Sequence, residues 1–197
     1  MVGLLHRDAW RGKIGSCVPI AQAPERQVES AMSLIDINEQ SRDNPLELVE
    51  HIATSNDWSF ERAAQDEITI LVRGQWTDYQ ISFTWMHDIE ALHLACAFEL
   101  KPSGRTRAEV QQLTAMINEQ LWVGHFDFWN HDGLIMYRHA LLLAGGVEVS
   151  SRQCEALLSN ALDACERYYP AFQFVVWAGK SARTALDAAM FEVAGQA

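Results

Sequence analysis

The sequence predicts an α+β fold, in which an antiparallel sheet carries its helices packed on one side. Three observations lead there. Four strand-like segments between residues 58 and 100 are separated by turns of only a few residues, a spacing that allows antiparallel but not parallel pairing. The fourth alternates without a break: Leu92, Leu94, Cys96, Phe98 and Leu100 stand against His93, Ala95, Ala97 and Glu99, the period of two of a sheet with unlike faces. Helix-start signals at Asn44, Thr106, Ser150 and Ser181 fall outside the strand-rich stretches, so the helices form a separate layer.

Asn44-Pro45 with Glu47 opens the first helix, since asparagine caps and proline suits a first turn; Leu46, Val49 and Ile52 give it one apolar face to about Asn56. Strands follow at 58–63, 67–73, 79–86 and 91–100, with turns at Gln65-Asp66 and His87-Asp88. Lys101-Pro102-Ser103-Gly104-Arg105 breaks the chain. Thr106 with Glu109 reads as a capping box, opening a helix along Val110, Leu113, Ile117 and Leu121. Two further strands, 123–129 and 134–143, join at His131-Asp132-Gly133 and end at Gly145-Gly146. Ser150 with Gln153 is a second capping box, for a helix to about Tyr168. Pro170 starts another helical stretch through Trp177, Gly179 stops it, and Ser181 caps a last helix to about Glu192.

The chain has 197 residues, 49% of them hydrophobic and 21% charged, which is the balance of a globular domain rather than a disordered one. A net charge of −11 repels phosphate backbones and anionic lipid, and the only basic cluster is Lys101, Arg105 and Arg107. Neither nucleic acid nor a membrane is an expected partner. No run of 18 apolar residues occurs, so no span is expected. Ile14-Gly15-Ser16-Cys17 resembles a lipoprotein cleavage box, but His6, Arg7, Asp8, Arg11 and Lys13 occupy the place of the apolar stretch a signal needs. The expected location is cytoplasmic. Residues 1–31 carry a net charge of +1, leaving −12 for the rest, and lack periodicity. Residues 1–43 are therefore expected to be an N-terminal extension, with Met32 a candidate natural start, and 44–197 the α+β domain.

Of the four cysteines, Cys154 and Cys165 fall on one helix face, roughly 16 Å apart at 1.5 Å per residue, too far for a disulfide. No C-x-x-C is present, and Cys17, Cys96, Cys154 and Cys165 are expected as buried thiols in a reducing compartment. Gly179-Lys180-Ser181 looks like the end of a phosphate loop, yet Phe174 stands where that loop needs glycine, and a helix stop followed by a cap explains it better. G-x-S-x-G, H-E-x-x-H and G-x-G-x-x-G are absent, and nothing proposes a nucleophile.

The hairpin around residues 118–139 is the main candidate for chemistry or recognition. A two-residue Asp132-Gly133 turn sets Asp127 opposite Arg138 and puts His125 and His139 on opposite sides of the sheet. A three-residue His131-Asp132-Gly133 loop makes His125 face His139 directly. Side-chain sorting favours the longer loop, because Phe126, Phe128, Leu134, Met136, Ala140 and Leu142 then share one face with only Arg138 out of place. The other face carries His125, Asp127, Trp129, Ile135, Tyr137 and His139, and His125, Asp127, Trp129, Tyr137 and His139 are its candidate partner-binding residues. Two imidazoles near a carboxylate could hold zinc, but Asp127 does not lie between them and no fourth ligand is near, so half-buried sheet residues are the plainer account. Trp122, Phe126, Phe128 and Trp177 are expected in the core; Trp129 and Tyr137 are core residues or partner anchors.

The segments Asn-Pro-Leu-Glu-Leu-Val-Glu-His-Ile before the first strands, NEQLWVGHFDFW, MYRHALLL, QCEALL and YPAFQFVVWAGKSARTAL resemble the YbjN domain proteins of α-proteobacteria over about residues 44–197. The resemblance implies a sensory transduction regulator with a fold like that of type III secretion chaperones, which are dimers that bind other proteins and catalyse nothing. It supplies no catalytic residue, cofactor or metal. The expectation is a non-enzymatic cytoplasmic homodimer that binds a protein partner through an edge strand or the hairpin face. The alternative is a small hydrolase or transferase using His125, Asp127 and His139.

Overall fold

The computed structural model describes residues 44–194, so the expectations about residues 1–43, Met32 and Cys17 lie outside the described residues. Along the chain run α1 (Pro45–Ser55), β1 (Ser59–Ala64), β2 (Glu67–Arg73), β3 (Asp78–Met86), β4 (Ala91–Phe98), α2 (Arg107–Asn118), β5 (His125–Trp129), β6 (Leu134–Leu142), α3 (Ser151–Val176) and α4 (Ala182–Ala194). The strands form one six-stranded sheet in the order β1-β2-β3-β4-β6-β5, with every neighbouring pair antiparallel. This is the α+β arrangement that the sequence predicts.

The period of two decides where the core lies. Ile68, Ile70 and Val72 of β2, Tyr79, Ile81 and Phe83 of β3, and Leu92, Leu94, Cys96 and Phe98 of β4 share one face by register, and all are buried. The apolar side of α1 (Leu46, Val49, Ile52, Ala53) joins the same core. The long helix α3 lays three rings on it: Tyr169 meets Phe98 at 4.9 Å between centroids and Tyr79 at 6.0 Å, Phe172 meets Phe98 at 5.7 Å, and Tyr168 meets Phe126 at 5.9 Å. Each fully buried side chain of this size contributes about 1.5–3 kcal/mol through burial, and edge-to-face ring pairs add to that. Cys96, Cys154 and Cys165 are free thiols in this core, as expected; burial pushes the Cys154 thiol up to about 11.

The helix ends follow the sequence signals in part. Asn44 Oδ1 accepts the Leu46 N–H at 3.1 Å, and Ser150 and Gln153 make the reciprocal capping box. Gly179 ends α3, with the Lys180 N–H reaching back to the Phe174 carbonyl at 3.1 Å, and Ser181 Oγ accepts the Thr184 N–H, so the Gly179-Lys180-Ser181 stretch is a helix stop and a cap. At α2 the expected capping box does not form. Thr106 makes no cap bond, and the Glu109 carboxylate instead accepts the Ala182 N–H of α4 at 2.7 Å, stabilising a neighbouring helix start rather than its own.

Two further expectations are overturned. Trp122 and Trp177 are not core residues; they are 100% and 68% exposed, whereas Phe126 is buried and Phe128 packs against the core. Pro170 starts no new helix but lies inside α3. Proline cannot donate to the carbonyl four residues earlier, which leaves the Glu166 oxygen without its helical partner. That oxygen accepts the indole N–H of Trp76, from the β2–β3 turn, at 3.0 Å. The same residue holds the turn a second time, because Glu166 Oε1 accepts the Gln75 N–H at 2.7 Å.

Trp76→Phe should therefore lower stability by about 1 kcal/mol beyond the loss of packing. In a Pro170→Ala background, where residue 170 supplies the N–H itself, the same substitution should cost less. Urea unfolding of the four proteins in this double-mutant cycle measures the coupling; additive effects would show that Trp76 does not replace the missing helical bond.

Candidate functional site

The β5–β6 hairpin pairs His125 with Arg138, Phe126 with Tyr137, Asp127 with Met136, Phe128 with Ile135 and Trp129 with Leu134. The loop is therefore residues 130–133, four residues, and neither the two-residue nor the three-residue alternative forms. Both the Asp132 and the Gly133 N–H bond to the Trp129 carbonyl, at 3.2 and 2.8 Å. Helix α2 anchors the remaining position: the Arg107 guanidinium donates to the Asn130 carbonyl, and Gln111 Nε2 donates to Asn130 Oδ1 at 2.8 Å. One residue of slip from the expected three-residue loop exchanges the two faces of one strand relative to the other.

The five candidate residues are thereby divided. His125, Asp127 and Trp129 share a face with Leu134, Met136 and Arg138, away from the helices, while Tyr137 and His139 point to the helix side with Phe126 and Ile135. His125 and His139 do not face each other, so the arrangement offers them neither a shared metal nor a joint acid–base role. Among the described residues no group of three or more His, Cys, Asp or Glu is placed to hold a metal ion. Tyr137 is a core residue, because its hydroxyl finds the Val123 carbonyl at 3.1 Å and its ring packs edge-on against Phe126 at 5.4 Å. Burial pushes that phenol up to about 12.

On the face away from the helices a connected polar group remains. Arg138 Nη1 donates to Asp127 Oδ2 at 2.7 Å, and Arg138 Nε donates to His93 Nε2 at 3.2 Å across the β4–β6 pair. Accepting through Nε2 assigns the His93 proton to Nδ1. The His125 Nε2 stands 3.6 Å from the same Asp127 oxygen, and the Arg138 guanidinium lies 6.0 Å from the centre of the Trp129 ring. His93 is 7% exposed, and its imidazole is held down to about 4 by burial first, then by the positive Arg138 and by His125. Burial also lowers His139, on the other face. Arg138, the hub of this group, and His93 were not among the expected site residues: His93 lies on the polar side of the β4 alternation, whereas Arg138 is the one charge on an otherwise apolar side of β6.

Asp127 accepts a charge-assisted hydrogen bond from Arg138. What the face presents is a fixed guanidinium, an aromatic ring and Leu134 beside them, on paired strands. The strand outside it is also fixed: the Asn118 side-chain amide donates to the Phe126 carbonyl at 2.9 Å and accepts the Phe126 N–H at 2.8 Å, as a neighbouring strand would.

Residues 45–174 match the YbjN family, described as “Putative bacterial sensory transduction regulator”. That match spans well over half of the chain, and the chain belongs to this family. Among solved structures, YbjN from E. coli is similar at 10% identity and a TM-score of 0.45, over 75% of this chain and 93% of that one. A chain of the ExsC–ExsE complex is similar at 18% identity and a TM-score of 0.42, over 62% of this chain and 88% of that one. A chain of the HopA1–SchA chaperone–effector complex is similar at 12% identity and a TM-score of 0.41, over 60% of this chain and 87% of that one. No curated protein is similar in sequence.

The His93 environment has a measurable consequence. The folded chain takes up this proton only near pH 4, the unfolded chain near its ordinary value of 6.5. Between those values the unfolded state binds more protons, so stability falls as pH drops from about 6.5 to about 4, by up to about 3 kcal/mol for this group. His93→Gln retains an acceptor for Arg138 but cannot titrate, and its urea midpoint should fall less between pH 7 and pH 4.5 than that of the wild type. Equal losses would show that His93 is not held neutral.

Proposed function

We propose that this YbjN-family chain is a non-enzymatic regulatory module that acts in the cytoplasm by binding a protein partner, and that it does so as a homodimer. Its binding face is the side of the β5–β6 hairpin that carries His125, Asp127, Trp129 and Arg138. The single observation that carries this reading is Arg138 itself. Its guanidinium is held from two sides, by Asp127 at 2.7 Å and His93 at 3.2 Å, beside the half-buried Trp129. Tryptophan and arginine are the side chains that most often dominate protein interfaces, and a pre-ordered pair loses little further freedom on binding. The family description as a sensory transduction regulator accords with this role. The charge of −11 disfavours nucleic acid, and among the described residues no helix is long and apolar enough to cross a membrane. The separation of His125 and Asp127 from His139 by the sheet supports binding over the alternative in which the three share acid–base roles.

Tagged wild-type chain, expressed in its native cells, should retain a specific protein that Trp129→Ala recovers at least tenfold less well, with an unchanged melting temperature. Glu155→Gln, on the exposed side of α3, should recover it normally. Sedimentation of the purified chain should give twice its 22.2 kDa mass. Equal recovery by Trp129→Ala would remove the hairpin face from the interface, and a monomer at all concentrations would remove the dimer.

A further inference from the structure

Strand β6 is longer than the neighbour beside it. β4 accompanies it along residues 135–142, whereas β5 pairs only with residues 134–138. In an antiparallel ladder successive residues turn their N–H and C=O groups alternately to the two sides. The Leu143 N–H bonds to the Glu90 carbonyl at 2.8 Å and continues the β4–β6 register, so His139 and Leu141 also point at β4. Ala140 and Leu142 therefore point the other way, into the line of β5 beyond its end. Among the described residues no group bonds to them there.

The reason β5 stops is local. Gly124 has φ +67°, a left-handed conformation that takes the chain off the ladder, and the Tyr137 hydroxyl stands against it where a Cβ would be. That hydroxyl bonds the Val123 carbonyl at 3.1 Å and keeps the preceding loop on the helix side. Exposed apolar groups lie at and around the notch along residues 139–142: Leu142 itself, 69% exposed, Val123 and Trp122 just ahead of Gly124, and Ile89 just ahead of β4. The far end is tied together by the Gly145 N–H bonding Glu90 Oε2 at 3.1 Å. The outer edge of β5 differs, because Asn118 occupies both backbone groups of Phe126 and Arg107 takes the Asn130 carbonyl. Side chains thus occupy that edge on either side of Phe128, and the adjoining notch has no such cover among the described residues.

We propose that residues 139–142 of β6 accept an extended segment of a partner protein by strand addition, in line with β5. The segment is apolar where it meets Leu142, Val123 and Trp122. Its flanks are basic, because the whole chain carries −11 and Asp88 lies in the turn that leads into β4, beside the far end of the notch. The inference rests on the reading of the chain as a protein-binding module, and adds a contact made through the main chain rather than through the Trp129 face.

The test uses the full chain and an acetylated, amidated eight-residue peptide of four valines flanked by two lysines at each end. Its controls are the same peptide N-methylated at alternate residues and a valine–glutamate counterpart. In the free protein the Ala140 and Leu142 amides should exchange with solvent at least tenfold faster than those of His139 and Leu141. The valine–lysine peptide should slow exchange at Ala140 and Leu142 at least tenfold, and neither control should. Ala140→Pro removes an N–H that the β4 ladder does not use, and should weaken binding of the labelled peptide at least tenfold while the melting temperature holds. Leu142→Lys should do the same through the apolar wall and the added charge, which keeps the test valid if the proline variant fails to fold. The proposal is overturned if the two amides are already as protected as their neighbours, or if both folded variants bind the peptide like wild type. It is also overturned if protection appears with rising protein concentration alone, since the occupant is then a second copy. Failure here leaves the Trp129 result standing, because that assay reads a native partner and this one reads main-chain protection in β6.

Discussion

The packing of α3 against the β4–β6–β5 half of the sheet sets the conditions for everything around the hairpin. Phe126 lies between Tyr168 and Phe172, at 5.9 and 5.4 Å between ring centres, with Phe98 5.7 Å away. Once that ring faces the helix, the strand's period of two sends His125, Asp127 and Trp129 to the opposite face. The same logic places Tyr137 inside and Arg138 outside. A one-residue slip of β6 would bring the Arg138 charge inward, at several kcal/mol for an ion leaving water, and take Tyr137 out of the core. The polar cluster is thus located by an apolar constraint on its back.

This explains which parts of the fold were legible in the sequence. Helix starts at Asn44 and Ser150, the strands from Glu67 to Phe98, and the stop at Gly179 are decided within a few residues, and local chemistry displays them. The hairpin register is decided by α2, whose Arg107 and Gln111 hold Asn130 and lengthen the loop to four residues. Polarity sorting also misled, because it grouped Tyr137 with the polar side chains. A tyrosine whose hydroxyl has a backbone partner packs as an aromatic, and the partner, the Val123 carbonyl, is fourteen residues away. Trp122 misled in the opposite direction: its bulk suggested core, but the loop preceding Gly124 leaves it in solvent. Glu109 had the spacing of a capping box and spends its carboxylate on another helix.

The candidate site was legible as a stretch but not as a set. Residues 118–139 were identified as the polar, aromatic part of the chain, and three of the five singled-out side chains do share a face. The organising residue, Arg138, looked like an exception to a pattern. It acquires its role only when β4 delivers His93 alongside, from a strand forty-five residues earlier. The proposed recognition features then fall on one strand in sequence. Arg138 closes the part of β6 that β5 covers, and Ala140 begins the part that it does not.

The proline inside α3 bears on how the chain reaches this state. A 26-residue helix interrupted at Pro170 lacks one of its own bonds near the rings that anchor the sheet. The substitute donor, Trp76, arrives from a turn ninety residues earlier in the chain. The last two turns of α3 therefore cannot reach full stability as a local event, and the β2–β3 turn has no fixed position until the helix is there. Helix and hairpin become a single cooperative unit spanning the sequence, so partial opening of either exposes both.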